Sequence, residues 1–225
     1  MTLPKTPSFR LDGRRALITG ASRGIGIGAA VALAEAGAEV VMAARGAEVL
    51  QDAVEALTGA GHTAAALALD VTDVAAVQAA VSEQGPFDVL VNSAGMARHA
   101  PALETTPEDF DAVTGVNLRA AYFLAQAVAR TMAPGGSIVQ ISSQMGHVGG
   151  IDRSVYCGAK WGIEGVTKAS AIELAEHGIR VNTIAPTFIR TPMTQSTFDN
   201  PERVKWLEEK IKLGRVGEIE DIMGA

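Results

Sequence analysis

The sequence predicts an α/β domain: a doubly wound parallel sheet of six strands with helices on both faces. Three observations predict it. Six short apolar runs alternate with longer helical stretches between residues 15 and 185, the pattern of parallel strands joined by crossover helices. The cores of these runs are apolar without alternation, as in strands covered on both faces. A glycine-rich turn stands between the first run and the first helix. The chain has 225 residues, 48% hydrophobic and 20% charged, which suits one such domain over 1–225.

The elements follow in order. RALIT (15–19) is the first strand and leads through glycines into an Ala-rich helix ending near Gly37. AEVVMAA (38–44) is the second strand. AEVLQDAVEALTGA (47–60) is an amphipathic helix, with Val49, Ala53, Val54, Ala56 and Leu57 near helical spacing. TAAALALD (63–70) is the third strand, followed by a helix over 73–83. FDVLVNSAG (87–95) is the fourth strand with its exit loop. The next helix runs from TPEDF to about Met132, with Thr106 as N-cap, Pro107 at the first helical position and Asp109 closing a capping box. GSIVQISS (136–143) is the fifth strand, 154–177 a helix, and IRVNTIA (179–185) the sixth strand. Residues 186–213 are more polar and carry Pro186, Pro192 and Pro201. They are expected to form a lid over the carboxyl ends of the strands, where such sheets bind ligands. Trp161 is expected in the core and Trp206 in the lid.

Bulk properties exclude several classes. The net charge is −6 with no basic stripe, which argues against a nucleic-acid partner. Cys157 is the single cysteine, so no internal disulfide forms, as fits a reducing cytoplasm. The amino-terminal stretch lacks an apolar signal core, and no apolar run is long enough to span a membrane. No metal-binding signature is present.

Two motifs carry chemistry. The first is TGASRGIG, T-G-x-x-x-G-x-G from Thr19 to Gly26. Glycines let a backbone turn tightly against a ligand, and the helix N-terminus offers free N–H groups and a positive dipole end to a pyrophosphate. The second is Tyr156 with Lys160, one helical turn apart on one face. An ammonium beside a phenol lowers its pKa and readies it for proton transfer near neutral pH. Taken alone, the pair also fits a half-buried tyrosine and an unrelated surface lysine.

Together with further motifs in the same order, these residues resemble the short-chain dehydrogenase/reductase family. The further motifs are NSAG (92–95), where the family commonly has N-N-A-G; GVNL (115–118); ISS (141–143); and RVNTIAPTFIRTPM (180–193), with Thr187 where glycine is usual. The resemblance covers residues 10 to 225. It implies a Rossmann fold and an oxidoreductase that moves a hydride between a nicotinamide and a carbonyl or secondary alcohol. It also implies the catalytic set Asn117, Ser143, Tyr156 and Lys160. Ser143 is chosen over Ser142 because it lies 13 residues before the tyrosine. By resemblance, Ser143 binds the substrate oxygen and Tyr156 transfers the proton. Lys160 holds the nicotinamide ribose and depresses the tyrosine pKa, and Asn117 holds a water in a relay to that lysine.

The cofactor contacts implied are Thr19, Gly20, Ser22, Arg23, Gly24, Ile25, Gly26, Arg45, Asp70, Val71, Asn92, Ala94, Gly95, Tyr156, Lys160, Pro186, Ile189 and Thr191. Ala44 stands where NAD-using members often carry Asp, and Arg45 and Arg23 suit a 2′-phosphate, so NADP is expected over NAD. Gln144, His147, Arg153 and Phe188 are the substrate-side candidates, with His99 bordering them. They suit a carboxylate, a phosphate or several hydroxyls, which leaves sugars, polyols, aldonates and 3-oxoacyl thioesters open. The resemblance further implies a homo-oligomer, dimer or tetramer, built on the helices at 106–132 and 154–177. It also implies a final strand beyond the segment that ends in GRVGEIEDIMGA. The alternatives are a non-catalytic NADP-binding sensor or scaffold of the same fold, and a sugar epimerase or dehydratase on a longer related fold.

Overall fold

A computed structural model describes residues 2–225. Six parallel strands form one sheet: β1 (Arg15–Thr19), β2 (Glu39–Ala44), β3 (Ala64–Ala68), β4 (Val89–Asn92), β5 (Ser137–Ile141) and β6 (Arg180–Ile184). Their order across the sheet is β3-β2-β1-β4-β5-β6. The order reverses between β1 and β4, and the crevice at that reversal is where open α/β sheets bind ligands. In β1, Leu17 and Ile18 point to opposite faces and both are fully buried. Leu17 joins Val41, Phe87, Leu124 and Ile138 on one side, and Ile18 joins Val40, Met42, Leu50 and Val89 on the other. Two cores on one sheet explain why the central strands read apolar without alternation.

The helices are α1 (Gly24–Glu35), α2 (Ala47–Gly59), α3 (Val74–Gln84), α4 (Pro107–Thr114), α5 (Ala121–Ala129), α6 (Ser154–Glu173), α7 (Gln195–Phe198), α8 (Pro201–Lys210) and α9 (Glu220–Met223). Helix α3 starts at Asp73, whose carboxylate accepts from the Ala76 N–H at 3.0 Å. Thr106 caps α4 by accepting from the Asp109 N–H at 3.2 Å, with Pro107 at the first position.

Several expectations need correction. The reciprocal arm of the capping box is not made: the Asp109 carboxylate pairs with Arg98 at 2.6 Å instead. The helix expected over 106–132 is interrupted by a π-helical segment, Gly115–Ala120. The third strand is not covered on both faces, because β3 lies at the sheet edge and its alanines are mostly exposed. In α2 the buried stripe is Leu50, Ala53, Val54 and Leu57; Val49 and Ala56 face outward. Trp161 is 54% exposed on α6 rather than in the core. Residues 186–213 contain α7 and α8. A parallel bridge from Ile189 to Gly217 ties the segment to the residues just beyond it.

Candidate active site

The glycine turn is built where the anion argument requires it. Gly20 (φ 66°) and Gly24 (φ 61°) are left-handed, a conformation that favours glycine. A Cβ on Gly20 would lie 2.9 Å from the Ala94 nitrogen and the Ser93 oxygen, so no side chain fits between the turn and the loop after β4. Helix α1 opens at Gly24. Its N-cap, Arg23, makes no side-chain cap bond, and the first turn holds no acid. Its first N–H groups are therefore open to an anion, with Ser22, Ile25 and Gly26 around them. Thr191 lies over this turn, 3.5 Å from where a Cβ on Gly24 would sit. Thr19 and Asn92 are buried and face each other: the Thr19 hydroxyl donates to Asn92 Oδ1 at 2.9 Å and accepts from the Ala94 N–H at 3.3 Å. These two side chains hold the turn and the loop together rather than pointing outward. Arg45 is exposed past the end of β2. The N–H and hydroxyl of Thr72 hold Asp70 below the usual carboxylate range against burial, and Arg45 adds to that effect. Val71 is half-buried beside it.

On the other side of the crevice, Ser143 ends the extended run from β5. Its Oγ accepts from the Met145 N–H at 3.1 Å, opening a 3-10 turn over Gln144–Gly146. Tyr156 and Lys160 lie one turn apart on α6. The Lys160 Nζ is 5.7 Å from the centre of the Tyr156 ring and donates to the Ile141 carbonyl at 2.8 Å. Ser143, Tyr156 and Lys160 thus converge at the carboxyl end of β5. Their electrostatics differ from expectation. Burial raises the Tyr156 pKa, and the Ser143 hydroxyl and the Arg153 guanidinium only partly oppose it. Lys160 is aimed at a backbone carbonyl rather than at the phenol oxygen. Burial lowers Lys160 itself to about 8, against the opposing charge of Glu164. The lysine is 5% exposed, a degree of burial that the sequence does not reveal.

Asn117 sits in the π-helical segment, a distortion frequent at functional sites. Its Nδ2 donates to the Met96 carbonyl at 2.7 Å and its Oδ1 accepts from the Met96 N–H at 3.0 Å. A Cβ on Gly95 would sit 3.0 Å from that Oδ1, so the asparagine staples the loop of Ala94 and Gly95 to the helix.

The substrate-side candidates divide. The Arg153 guanidinium lies 5.7 Å from the centre of the Phe188 ring, and the His99 ring meets Tyr156 edge-on at 5.9 Å. Burial and then the nearby charges of Arg153 and Arg203 hold His99 below the ordinary histidine pKa. Burial and Arg203 likewise lower Arg153. Arg203, on α8, is an addition the sequence reading did not single out. Among the described residues neither Arg153 nor Arg203 has an ion-pair partner within 4.0 Å. Asp152, just before, takes a left-handed turn (φ 59°), and its carbonyl accepts from the Ala100 N–H at 3.2 Å, tying the His99 loop to the start of α6. The Gln144 N–H donates to the Pro186 carbonyl at 2.9 Å, and its Oε1 accepts from Thr187 at 2.7 Å. Ile189 is buried at the bridge to Gly217. His147 turns away, toward Glu164 on α6. A cavity of about 400 Å³ between α5 and α6 holds none of the catalytic candidates. No cluster of three or more His, Cys, Asp or Glu side chains suited to a metal occurs among the described residues, and no described helix is long and apolar enough to cross a membrane.

A doubly wound sheet with a glycine turn at its switch point and a Ser-Tyr-Lys set across the crevice defines a nicotinamide-dependent oxidoreductase. The chain belongs to the short-chain dehydrogenase/reductase family, whose members named below act on CH–OH groups: a family model described as enoyl-(acyl carrier protein) reductase matches residues 20–225. It is 40% identical over 218 residues to L-xylulose reductase of Bos taurus, covering 96% of this chain and 88% of that protein. It is 39% identical over 223 residues to gluconate 5-dehydrogenase of Gluconobacter oxydans (strain 621H), covering 96% and 87%. A solved structure of a putative 2-deoxy-d-gluconate 3-dehydrogenase from Agrobacterium tumefaciens with bound NADP is similar at TM-score 0.91. It is 41% identical, with 97% of this chain and 89% of that one covered.

Proposed function

We propose that the protein is an NADP(H)-dependent oxidoreductase that interconverts a secondary alcohol and a ketone on a small polyhydroxylated acid. The observation that carries this reading is the convergence of Ser143, Tyr156 and Lys160 at the end of β5. The residues fit the cofactor. The open N-terminus of α1 and the left-handed Gly20 would receive the pyrophosphate, Arg45 and Arg23 the 2′-phosphate, and Lys160 the nicotinamide ribose. When bound, the nicotinamide supplies or accepts the hydride. The Ser143 Oγ takes its hydrogen bond from the Met145 N–H. Its own proton is directed toward Tyr156, the side on which it would hold the substrate oxygen. The Tyr156 hydroxyl donates its proton to that oxygen in reduction and takes it back in oxidation. Burial favours the neutral phenol, the donor form.

The substrate class follows from charge. Arg153 and Arg203 bring positive charge to the side of the crevice where His99 meets Tyr156, which suits a carboxylate, and gluconate dehydrogenases are among the similar proteins. The similarity to L-xylulose reductase supports a second reading, a neutral ketose. Residues 186–213, bearing Phe188 and Arg203, act as the lid. Phe110, Trp161 and Ile172, exposed on α4 and α6, support a two-fold homo-oligomer through these helices.

The test is turnover of purified protein with NADPH or NADH against a panel of keto-sugars and keto-sugar acids, following the reduced nicotinamide. The expected result is NADPH-dependent turnover of a keto acid. Tyr156→Phe is expected to lower kcat by about 10²–10⁴-fold while NADPH still binds. Unchanged turnover in that variant would remove Tyr156 as the proton donor. Arg203→Gln is expected to raise KM about tenfold for the acid and leave a neutral ketose unaffected.

A further inference from the structure

Helix α6 carries a buried carboxylate that the proposed reaction does not use. Glu164 is 5% exposed and stands one turn beyond Lys160, so the two side chains share a face. They are the only charged side chains among the buried described residues. The groups around the carboxylate come from three other segments. Its Oε2 accepts from the Thr183 hydroxyl of β6 at 3.1 Å. Its Oε1 lies 3.3 Å from His147 Nε2, an ion-pair distance without hydrogen-bond alignment, and has no other partner. Ser142, at the end of β5, contributes a hydroxyl that is also buried without a partner. Gly146 closes the packing: a Cβ there would lie 2.9 Å from Ser142 Oγ and 3.1 Å from Glu164 Cγ. No lysine or arginine lies within 4.0 Å of Glu164 among the described residues.

A buried charge is tolerated only when another charge or hydrogen bonds compensate it. Lys160 has one hydrogen bond, to the Ile141 carbonyl, and Glu164 has one, from Thr183. Each leaves part of its charge to be met by the other. We propose that Glu164 is a positioning residue that keeps Lys160 an ammonium as its buried counter-charge, while its contact with His147 pins the loop carrying Ser143 to α6. The negative charge of Glu164 does oppose the effect of burial on the lysine.

The proposal rests on the catalytic reading of Lys160, but its first test does not need turnover. Protein labelled with ¹³C at lysine Cε is titrated by NMR, with Lys160→Met identifying the Lys160 resonance. In Glu164→Gln the Lys160 midpoint is expected to fall by about one unit. An unchanged midpoint overturns the proposal. Should Glu164→Gln not fold, Glu164→Asp, with its charge drawn back by one methylene, is expected to lower the midpoint by about half a unit; no movement again overturns it. The kinetic counterpart is the pH profile of kcat. In Glu164→Gln the loss is expected to grow between the two midpoints, to reach about tenfold above the wild-type midpoint and to recover below the new one. Equal loss at every pH marks a structural role and overturns the proposal. A shifted lysine midpoint in a protein without turnover sinks the oxidoreductase reading and leaves the charge pair standing.

Discussion

Replacing Lys160 by methionine together with Glu164 by glutamine, so that no buried carboxylate is left without its counter-charge, is expected to make the protein more stable and inactive at once. Burial takes the lysine from 10.5 to about 8. A basic group whose folded pKa is depressed binds more protons in the unfolded chain between those two values. Its cost is therefore fully present below pH 8 and fades as the pH rises toward 10.5. At pH 7 that cost is about 3 kcal/mol. Methionine fills much the same space without the charge, but leaves the Ile141 carbonyl without its donor, a loss of about 1–2 kcal/mol. The net expectation is a gain of about 1–2 kcal/mol at pH 7. The gain shrinks by about 2 kcal/mol toward pH 9.5 as the wild-type lysine is relieved of its charge. Urea unfolding of both proteins between pH 7 and 9.5 reads the difference directly, below the range in which the raised Tyr156 titrates. A variant less stable than wild type at pH 7, or a gap that does not change with pH, would refute the claim that the fold carries this lysine at a cost.

Two further outcomes test the cofactor side. Gly20→Ala forces a side chain into a left-handed position against the Ala94 and Ser93 backbone. It is expected to cost about 1–3 kcal/mol and to weaken NADPH binding, read as a lower Tm and in a fluorescence titration; a wild-type Tm counts against this account of the turn. Ala44→Asp combined with Arg45→Ala is expected to weaken NADPH about 10–100-fold and to improve NADH, because an acid at position 44 repels the 2′-phosphate and accepts from the 2′-hydroxyl while the arginine that suits the phosphate is gone. Unchanged KM values for the two cofactors would show that Arg45 does not touch the phosphate.

Most of the architecture was legible in the sequence because two cores on one sheet leave an unmistakable pattern: Leu17 and Ile18, adjacent in sequence, both have to be apolar. The glycine turn was legible because the left-handed backbone at Gly20 and Gly24 restricts which residues fit, and the tyrosine–lysine pair because four residues make about one helical turn. Other features depend on tertiary context. The π-helical segment around Asn117 has no compositional mark, because an irregular turn of helix uses the same residue types as a regular one. The exposure of β3 follows from its place at the sheet edge, and alanines read equally well inside or out. The direction of the Tyr156 shift was misjudged because a Y-x-x-x-K spacing reports proximity along a helix and says nothing of burial. No motif marks Glu164 in the sequence. Its spacing of four from Lys160 and eight from Tyr156 was the available signal.

The switch point has a consequence for how such a protein can change over generations. β1 and β4 meet through four residue pairs, from Ala16 with Val89 to Thr19 with Asn92. The glycine turn and Arg45 belong to the half with β1, β2 and β3, while Ser143, Tyr156 and Lys160 belong to the half with β4, β5 and β6. On the proposed reading, cofactor preference and bond chemistry are written in separate blocks of the chain, joined along one narrow seam. Drift or recombination in the first block would then alter which reductant pool the molecule draws on and leave the second block's reaction intact, provided the threonine–asparagine clasp across the seam survives.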